Sequence, residues 1–327
     1  MAFLRVMLRR ILYAIGLLLA VVIFNFVLLH MVPGDIADTL AGESGGASAK
    51  VMADIRASYG LDQPFHVQLI KYVWHVMQGD LGKSYYFNAP VTSLLAERIG
   101  PTLLLVTSAL LLAIFLGTIF GVIAAQKPNG WFSHFISVFA LVGFSAPVFW
   151  TAFLLIILFV AILNIMPLSG LVNPLIPRGT WQWYLDVAHH MVLPVLSLSS
   201  VYLAQYSRLA RASMMDILGS DFIRTARAKG LGQRTIIYKH GLRNAVIPVI
   251  TIAGLQFAAV FSGAVVIETV FTWPGLGTLA FDSILRGDTP TTMGILFISA
   301  FVVIIFNLLT DLAYRIVDPR IRLSTTA

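Results

Sequence analysis

Apolar residues gather into stretches at about 10–31, 102–126, 134–163, 187–207, 246–268 and 293–314, each long enough for the roughly 20 residues that a membrane-crossing helix needs. The pattern predicts six spans. The third stretch is overlong and contains Pro147, which predicts either one tilted, kinked helix or two short ones. Two polar segments, 32–99 and 208–245, are too long to be simple connectors, so function is expected to concentrate there. The first holds the Gly/Ser-rich stretch from Gly42 to Ser48 and an amphipathic run from Val67 to Met77, which predicts a short surface helix. In the second, Ser220 or Asp221 can cap a helix and Gly230 can supply the left-handed residue that ends it. Helical spacing resumes from Gln233 to Leu242, with Pro248 placed where the next span begins. Two short helices joined by a sharp turn at Gly230 to Gly232 are the expected product.

Composition removes the soluble alternative. The 327 residues are 58% hydrophobic and 11% charged, whereas soluble domains carry about 25% charged residues. A net charge of +7 in so apolar a chain reads as basic flanks that orient spans, and no nucleic-acid partner is expected. Cysteine is absent, which excludes disulfides, thiolate metal sites and cysteine nucleophiles. Arg5, Arg9 and Arg10 precede the apolar run from Ile11 to Leu29, which is longer than the about 7 to 15 residues of a signal h-region and has no small-residue cleavage site directly after it. A retained first span is expected.

Lysine and arginine collect on the cytoplasmic side of spans. With six spans and an inner N-terminus, 15 of the 22 basic residues fall inside, including Arg208, Arg211, Arg224, Arg227, Lys229, Arg234, Lys239 and Arg243. Splitting the third stretch into two crossings would put the basic 208–245 segment outside. Both termini are therefore expected in the cytoplasm, the 32–99 segment outside and the 208–245 segment inside.

Candidate chemistry is sparse. Gly82, Lys83 and Ser84 end like a nucleotide-binding loop, but the required first glycine would stand at Met77, and the segment is expected outside. Glu268 lies at the outer end of the fifth span, where an ionisable group is costly unless paired or wet. With Trp273, Pro274 and Gly275 it could form an outer gate, or it could brace the following loop. Ser197, Tyr202 and Gln205 in the fourth span and Gln256 in the fifth are polar enough to line a path or to bond helix to helix. His189 and His190 are adjacent and do not share a helix face, so a metal site is not expected. No zinc-protease or nucleophile-elbow pattern is present, which leaves a membrane hydrolase without a catalytic centre. An ion-coupled secondary transporter would call for more buried acidic groups than these.

The run from Asp221 through Phe222, Ile223, Arg224, Thr225, Ala226, Arg227, Ala228, Lys229, Gly230 and Leu231 resembles the cytoplasmic loop of ATP-binding-cassette (ABC) importer permeases, in the form used by their dipeptide and oligopeptide branch. Relative to the general loop pattern, Arg224 replaces a glutamate and Thr225 the first of two alanines, while Ala226 and Gly230 match. Further stretches resemble the same branch in order: Val32 to Asp35, Tyr59 to Pro64, Gly79 to Ser84, Arg98 to Thr102, Pro167 to Gly170, Glu268 to Gly277 and Asp318 to Arg322. The resemblance implies an all-α integral membrane protein with the MetI-like type I importer permease fold. It implies a first span plus extracytoplasmic segment over 1–95, a permease core over 96–317 and a short tail over 318–327. Docking would involve Asp221, Arg224, Thr225, Ala226, Arg227, Ala228, Lys229 and Gly230. Implied partners are a second permease of the same fold, two cytoplasmic ATP-binding subunits, an extracytoplasmic substrate-binding protein and the lipid bilayer of a prokaryotic inner membrane. ATP and magnesium would sit on the ATPase subunits and no cofactor on this chain. Peptides are the implied cargo, with nickel chelates, glutathione or oligosaccharides as alternatives.

Overall fold

A computed structural model describes residues 2–31, 53, 57, 62–84 and 86–317. The stretches Val32 to Asp35, Gly42 to Ser48 and Asp318 to Arg322, and part of Tyr59 to Pro64, lie outside the described residues.

The described chain is mostly helical, in the order α1 (Ala2–Met31), α2 (Phe65–Met77), α3 (Val91–Gln126), α4 (Trp131–Ser145) and α5 (Val148–Leu155), which passes into a π-helical stretch, Ile156–Ile162. There follow α6 (Trp181–Leu218), α7 (Asp221–Ala228), a second π-helical stretch (Thr235–Gly241), α8 (Leu242–Val270), α9 (Leu276–Leu285) and α10 (Thr289–Val317). Four described helices are long and apolar enough to cross a membrane, and two bent pairs bring the number to six if each pair is one span.

One of these pairs resolves the overlong third stretch. Trp131–Ser145 and Val148–Ile162 meet at 108°. Pro147 disfavours helical geometry in the residue before it, and Ala146 is accordingly extended, at φ −81° and ψ 129°. The other proline expectation needs correction. Pro248 stands inside α8, whose helix is already under way at Leu242, so the helix runs through it without the bond that an N–H there would give to the Asn244 carbonyl.

Two compact units divide the chain: Met1–Gly100 with Gly275–Ile305, and Pro101–Pro274 with Phe306–Ala327. In the first, Phe26 of α1 stacks on Tyr72 of α2 at 5.4 Å, and His30 meets Phe65 edge-on at 5.5 Å. Burial pushes the Tyr72 phenol up to about 12, so it stays neutral in this aromatic patch. The Gly82, Lys83 and Ser84 motif finds a structural role in the same unit. Lys83 bridges to Pro90, and buried Ser84 donates to Asp288 Oδ2 at 2.5 Å. Thr291 Oγ1 donates to the same oxygen at 2.7 Å, and the carboxylate stands just before the start of α10, where it complements the helix dipole. Ser84→Ala is expected to destabilise the protein by about 0.5–1.5 kcal/mol, the net worth of one hydrogen bond, since Thr291 still donates to Asp288 Oδ2; the thermal midpoint in detergent measures it.

The second unit is built around α6, which packs against α4, α5 and α8. Tyr206, Leu203, Ala210, Ala113 and Val249 form a buried cluster at its middle. Met214, Ile237, Ala245, Val122 and Ala125 form the next one toward its C-terminal end.

Candidate functional site: the helix after α6

Eight residues alone make a marginal helix, and α7 is held by its surroundings instead. Ile223 and Ala226 of α7 pack with Ile236 into a buried cluster that also takes Ile217 and Leu218 from the last turn of α6. The helix is thereby bolted to the end of α6. Asp221 in its first turn and Arg227 in its last complement the helix dipole.

Its end is closed by Gly230. The Gly230 N–H donates to the Arg227 carbonyl at 2.9 Å and the Leu231 N–H to the Ala226 carbonyl at 3.3 Å, the paired bonds of a Schellman turn. That turn needs a left-handed residue, and Gly230 has φ +76°. No atom lies within 4 Å of where its Cβ would be, so the glycine answers a backbone need and the tip faces open space.

Three expectations for this segment are corrected. Ser220 occupies the N-cap position, but its hydroxyl donates backward to the Ile217 carbonyl at 2.6 Å and makes no cap bond. The second short helix does not stand apart, because Thr235–Gly241 winds as a π-helix directly into α8. Ala226 is buried in the chain's own cluster, so it offers no surface to a partner, whereas Ala228 is exposed.

What α7 and its turn present outward is Asp221, Arg224, Thr225, Arg227, Ala228, Lys229 and Gly230. Arg224 reaches Asp221 at 3.2 Å, and Thr225 Oγ1 donates to the Asp221 carbonyl at 3.0 Å. Sequence reasoning missed the apolar knobs among these polar groups: Phe222 is 44% exposed, Leu231 39% and Tyr238 53%. Only Phe222 had a signal in the sequence, as a large apolar residue off the α7 period of Ile223 and Ala226.

The gate candidates also find their places. Glu268, in the last turns of α8, is fully buried and accepts from Thr102 Oγ1 at 2.6 Å. Trp273 is equally buried; its indole N–H donates to the Pro101 carbonyl at 3.0 Å and its backbone N–H to the Glu268 carbonyl at 2.8 Å. Pro274 follows, and Gly275 is the N-cap residue of α9. Thr102→Val removes a donor from a buried carboxylate and is expected to cost about 1–3 kcal/mol, read as a lowered thermal midpoint with the protein still inserted.

Among the path candidates, Gln256 Nε2 of α8 donates to Gln205 Oε1 of α6 at 2.7 Å, joining two of them across helices. Ser197 is buried and donates to the Leu193 carbonyl of its own helix at 2.8 Å. Tyr202 is half-buried with its hydroxyl close to Gly263. Gln205 also lines a cavity of about 880 Å³ along α4 and α6, together with Arg208, Arg211 and Asp216. His190 lies 3.3 Å from Asp186, and among the described residues no three His, Cys, Asp or Glu side chains group to hold a metal.

Residues 117–323, which carry α6, α7 and α8, match the family described as binding-protein-dependent transport system inner membrane component. Residues 3–106 match the N-terminal part of such membrane components. The chain belongs to this family. It is therefore a transport permease and not a catalytic enzyme. The dipeptide transport system permease protein DppB of Escherichia coli K12 is 39% identical over 98% of this chain and 99% of its own. The glutathione transport system permease protein GsiC of Salmonella paratyphi A is 38% identical over 96% of this chain and 98% of its own. Among solved structures, the inward-facing MetNI methionine ABC transporter matches with a TM-score of 0.53 and 16% identity, covering 69% of this chain and 96% of that one. The permease thus has the MetI-like, all-α membrane fold.

Proposed function

We propose that this permease forms one half of a translocation path for di- and oligopeptides, delivered by an extracytoplasmic binding protein and driven by ATPase subunits that act on α7. The observation that carries this reading is the shared cluster of Ile223, Ala226 and Ile236 with Ile217 and Leu218. A push on α7 reaches α6 through close-packed side chains, which transmit strain instead of absorbing it. ATP hydrolysis on the partners would then shift the spans between two states by favouring one over the other. ATP and magnesium stay on those subunits, and this chain carries no cofactor.

In this reading both termini and α7 face the cytoplasm, and a second permease of the same fold completes the path. Phe222, Leu231 and Tyr238 would enter apolar recesses of the ATPase subunit, with Arg224, Arg227 and Lys229 at the rim, the usual division between the core and rim of an interface. Peptide cargo is supported by the E. coli relative, whose name states dipeptide transport. The Salmonella relative's name states glutathione, itself a tripeptide, and this makes glutathione the second cargo to test.

The decisive experiment purifies the tagged chain from its native membrane, identifies the subunits that accompany it and reconstitutes them in liposomes with the binding protein. Labelled dipeptide uptake that requires ATP, survives collapse of ion gradients and is competed by unlabelled dipeptide is the expected result. Uptake that follows a proton or sodium gradient without ATP would replace this reading by a secondary transporter. ATP-dependent uptake of labelled glutathione, a nickel chelate or an oligosaccharide, with none of labelled dipeptide, would change the cargo and keep the machine.

A further inference from the structure

The cavity of about 880 Å³ along α4 and α6 is a largely apolar recess that also carries Arg208 and Arg211. With 38 residues, α6 extends about 57 Å, nearly twice the roughly 30 Å of hydrocarbon it has to cross. Its apolar part ends near residue 207, so Arg208 and Arg211 stand just beyond it, at headgroup depth. On the other wall, α4 begins with Trp131, 80% exposed, an aromatic residue of the kind that marks a membrane interface. Beyond it, exposed Leu141 and Phe144 line the same cavity.

The basic floor has an unused donor. Arg211 Nη2 donates to the Pro128 carbonyl at 3.3 Å, which orients the guanidinium, while its Nε is buried and has no partner among the described residues. An unpaired buried donor is costly, and an oxyanion is the acceptor that a guanidinium fork fits best. Among the described residues Asp216 is the one carboxylate lining the cavity, and two guanidinium groups against it leave the recess positive.

We propose that this recess holds an anionic phospholipid, its phosphate on Arg208 and Arg211 and an acyl chain along Leu141 and Phe144. A peptide carboxylate offers the same oxyanion, but an apolar wall running from headgroup depth into the bilayer suits an acyl chain better than a polar backbone. The choice of inner leaflet rests on the orientation proposed above; the lipid chemistry does not.

The test uses the chain with whatever subunits accompany it, reconstituted in nanodiscs of phosphatidylcholine and phosphatidylglycerol, then released for native mass spectrometry. Wild type is expected to retain a phosphatidylglycerol that Arg208→Gln with Arg211→Gln loses about tenfold, since charge-assisted bonds to the phosphate are gone. Ala212→Trp, which fills the recess from an exposed position without altering charge, is expected to displace the same lipid. Equal retention in wild type and both variants, or equal retention of phosphatidylcholine, would overturn the site. Displacement of phosphatidylglycerol by millimolar dipeptide would overturn it too and give the recess to the substrate. Failure of the importer reading shows separately, as absent ATPase subunits or ATP-independent uptake, and leaves the lipid count unchanged.

Discussion

In a Gly230→Glu variant, substrate uptake and its coupling to ATP hydrolysis are expected to fall to background while the protein still inserts and purifies. Gly230 at φ +76° closes the Schellman turn after α7, and a side chain there imposes about 1–2 kcal/mol of left-handed backbone strain. Strain of that size does not unfold a membrane protein whose spans are intact. It loosens the turn that fixes where Leu231, Lys229 and the end of α7 point. Glutamate adds bulk and a negative charge at an open tip, in the midst of the proposed docking surface. Gly230→Ala carries the strain alone and is expected to keep part of the uptake. The measurement is ATP-driven uptake beside ATPase activity in reconstituted liposomes. Normal transport by Gly230→Glu would remove α7 from the coupling role.

Gly121→Leu is expected to fail earlier, at assembly of the helices. In α3, Gly117 and Gly121 lie one turn apart on the face that meets α6. A Cβ on Gly121 would stand 2.5 Å from the Ser207 carbonyl oxygen, 2.7 Å from Ala210 Cβ and 2.8 Å from the Arg211 backbone nitrogen. Two of these are backbone atoms of a long helix and cannot step aside as a side chain would. Gly117 is nearly as tight, 2.7 Å from Tyr206 Cβ and 3.0 Å from the Leu203 carbonyl oxygen. Overpacking a close crossing costs about 1–3 kcal/mol for an added methylene and more for a branched chain. The expected result for Gly121→Leu is loss of the monodisperse peak in detergent and of protein level in the membrane, with Gly121→Ala intermediate. Equal yields for all three proteins would mean that α3 and α6 do not cross here.

Whatever depends on local chemistry could be read along the chain. Gly230 could be assigned its left-handed turn because no other residue adopts that conformation without cost, and Pro147 its break because proline acts on its own neighbours. The apolar stretches gave the spans, since hydrocarbon demands apolar length, and the basic residues between them gave the expected sidedness. Other features depend on what arrives from elsewhere in the chain. Ala226 looked like a contact for a partner until Ile236 and the end of α6 took it inside. For Glu268, whether it braces or gates, the partner that satisfies it is Thr102, far off in sequence. Ser84 sat in a nucleotide-like motif, and only its meeting with Asp288 showed a clamp on α10. Gly117 and Gly121 could be any small residues of an apolar span until the backbone of α6 was found against them. Sequence determines what each residue can tolerate; tertiary structure decides which neighbour it must tolerate, because burial and hydrogen bonding are properties of pairs.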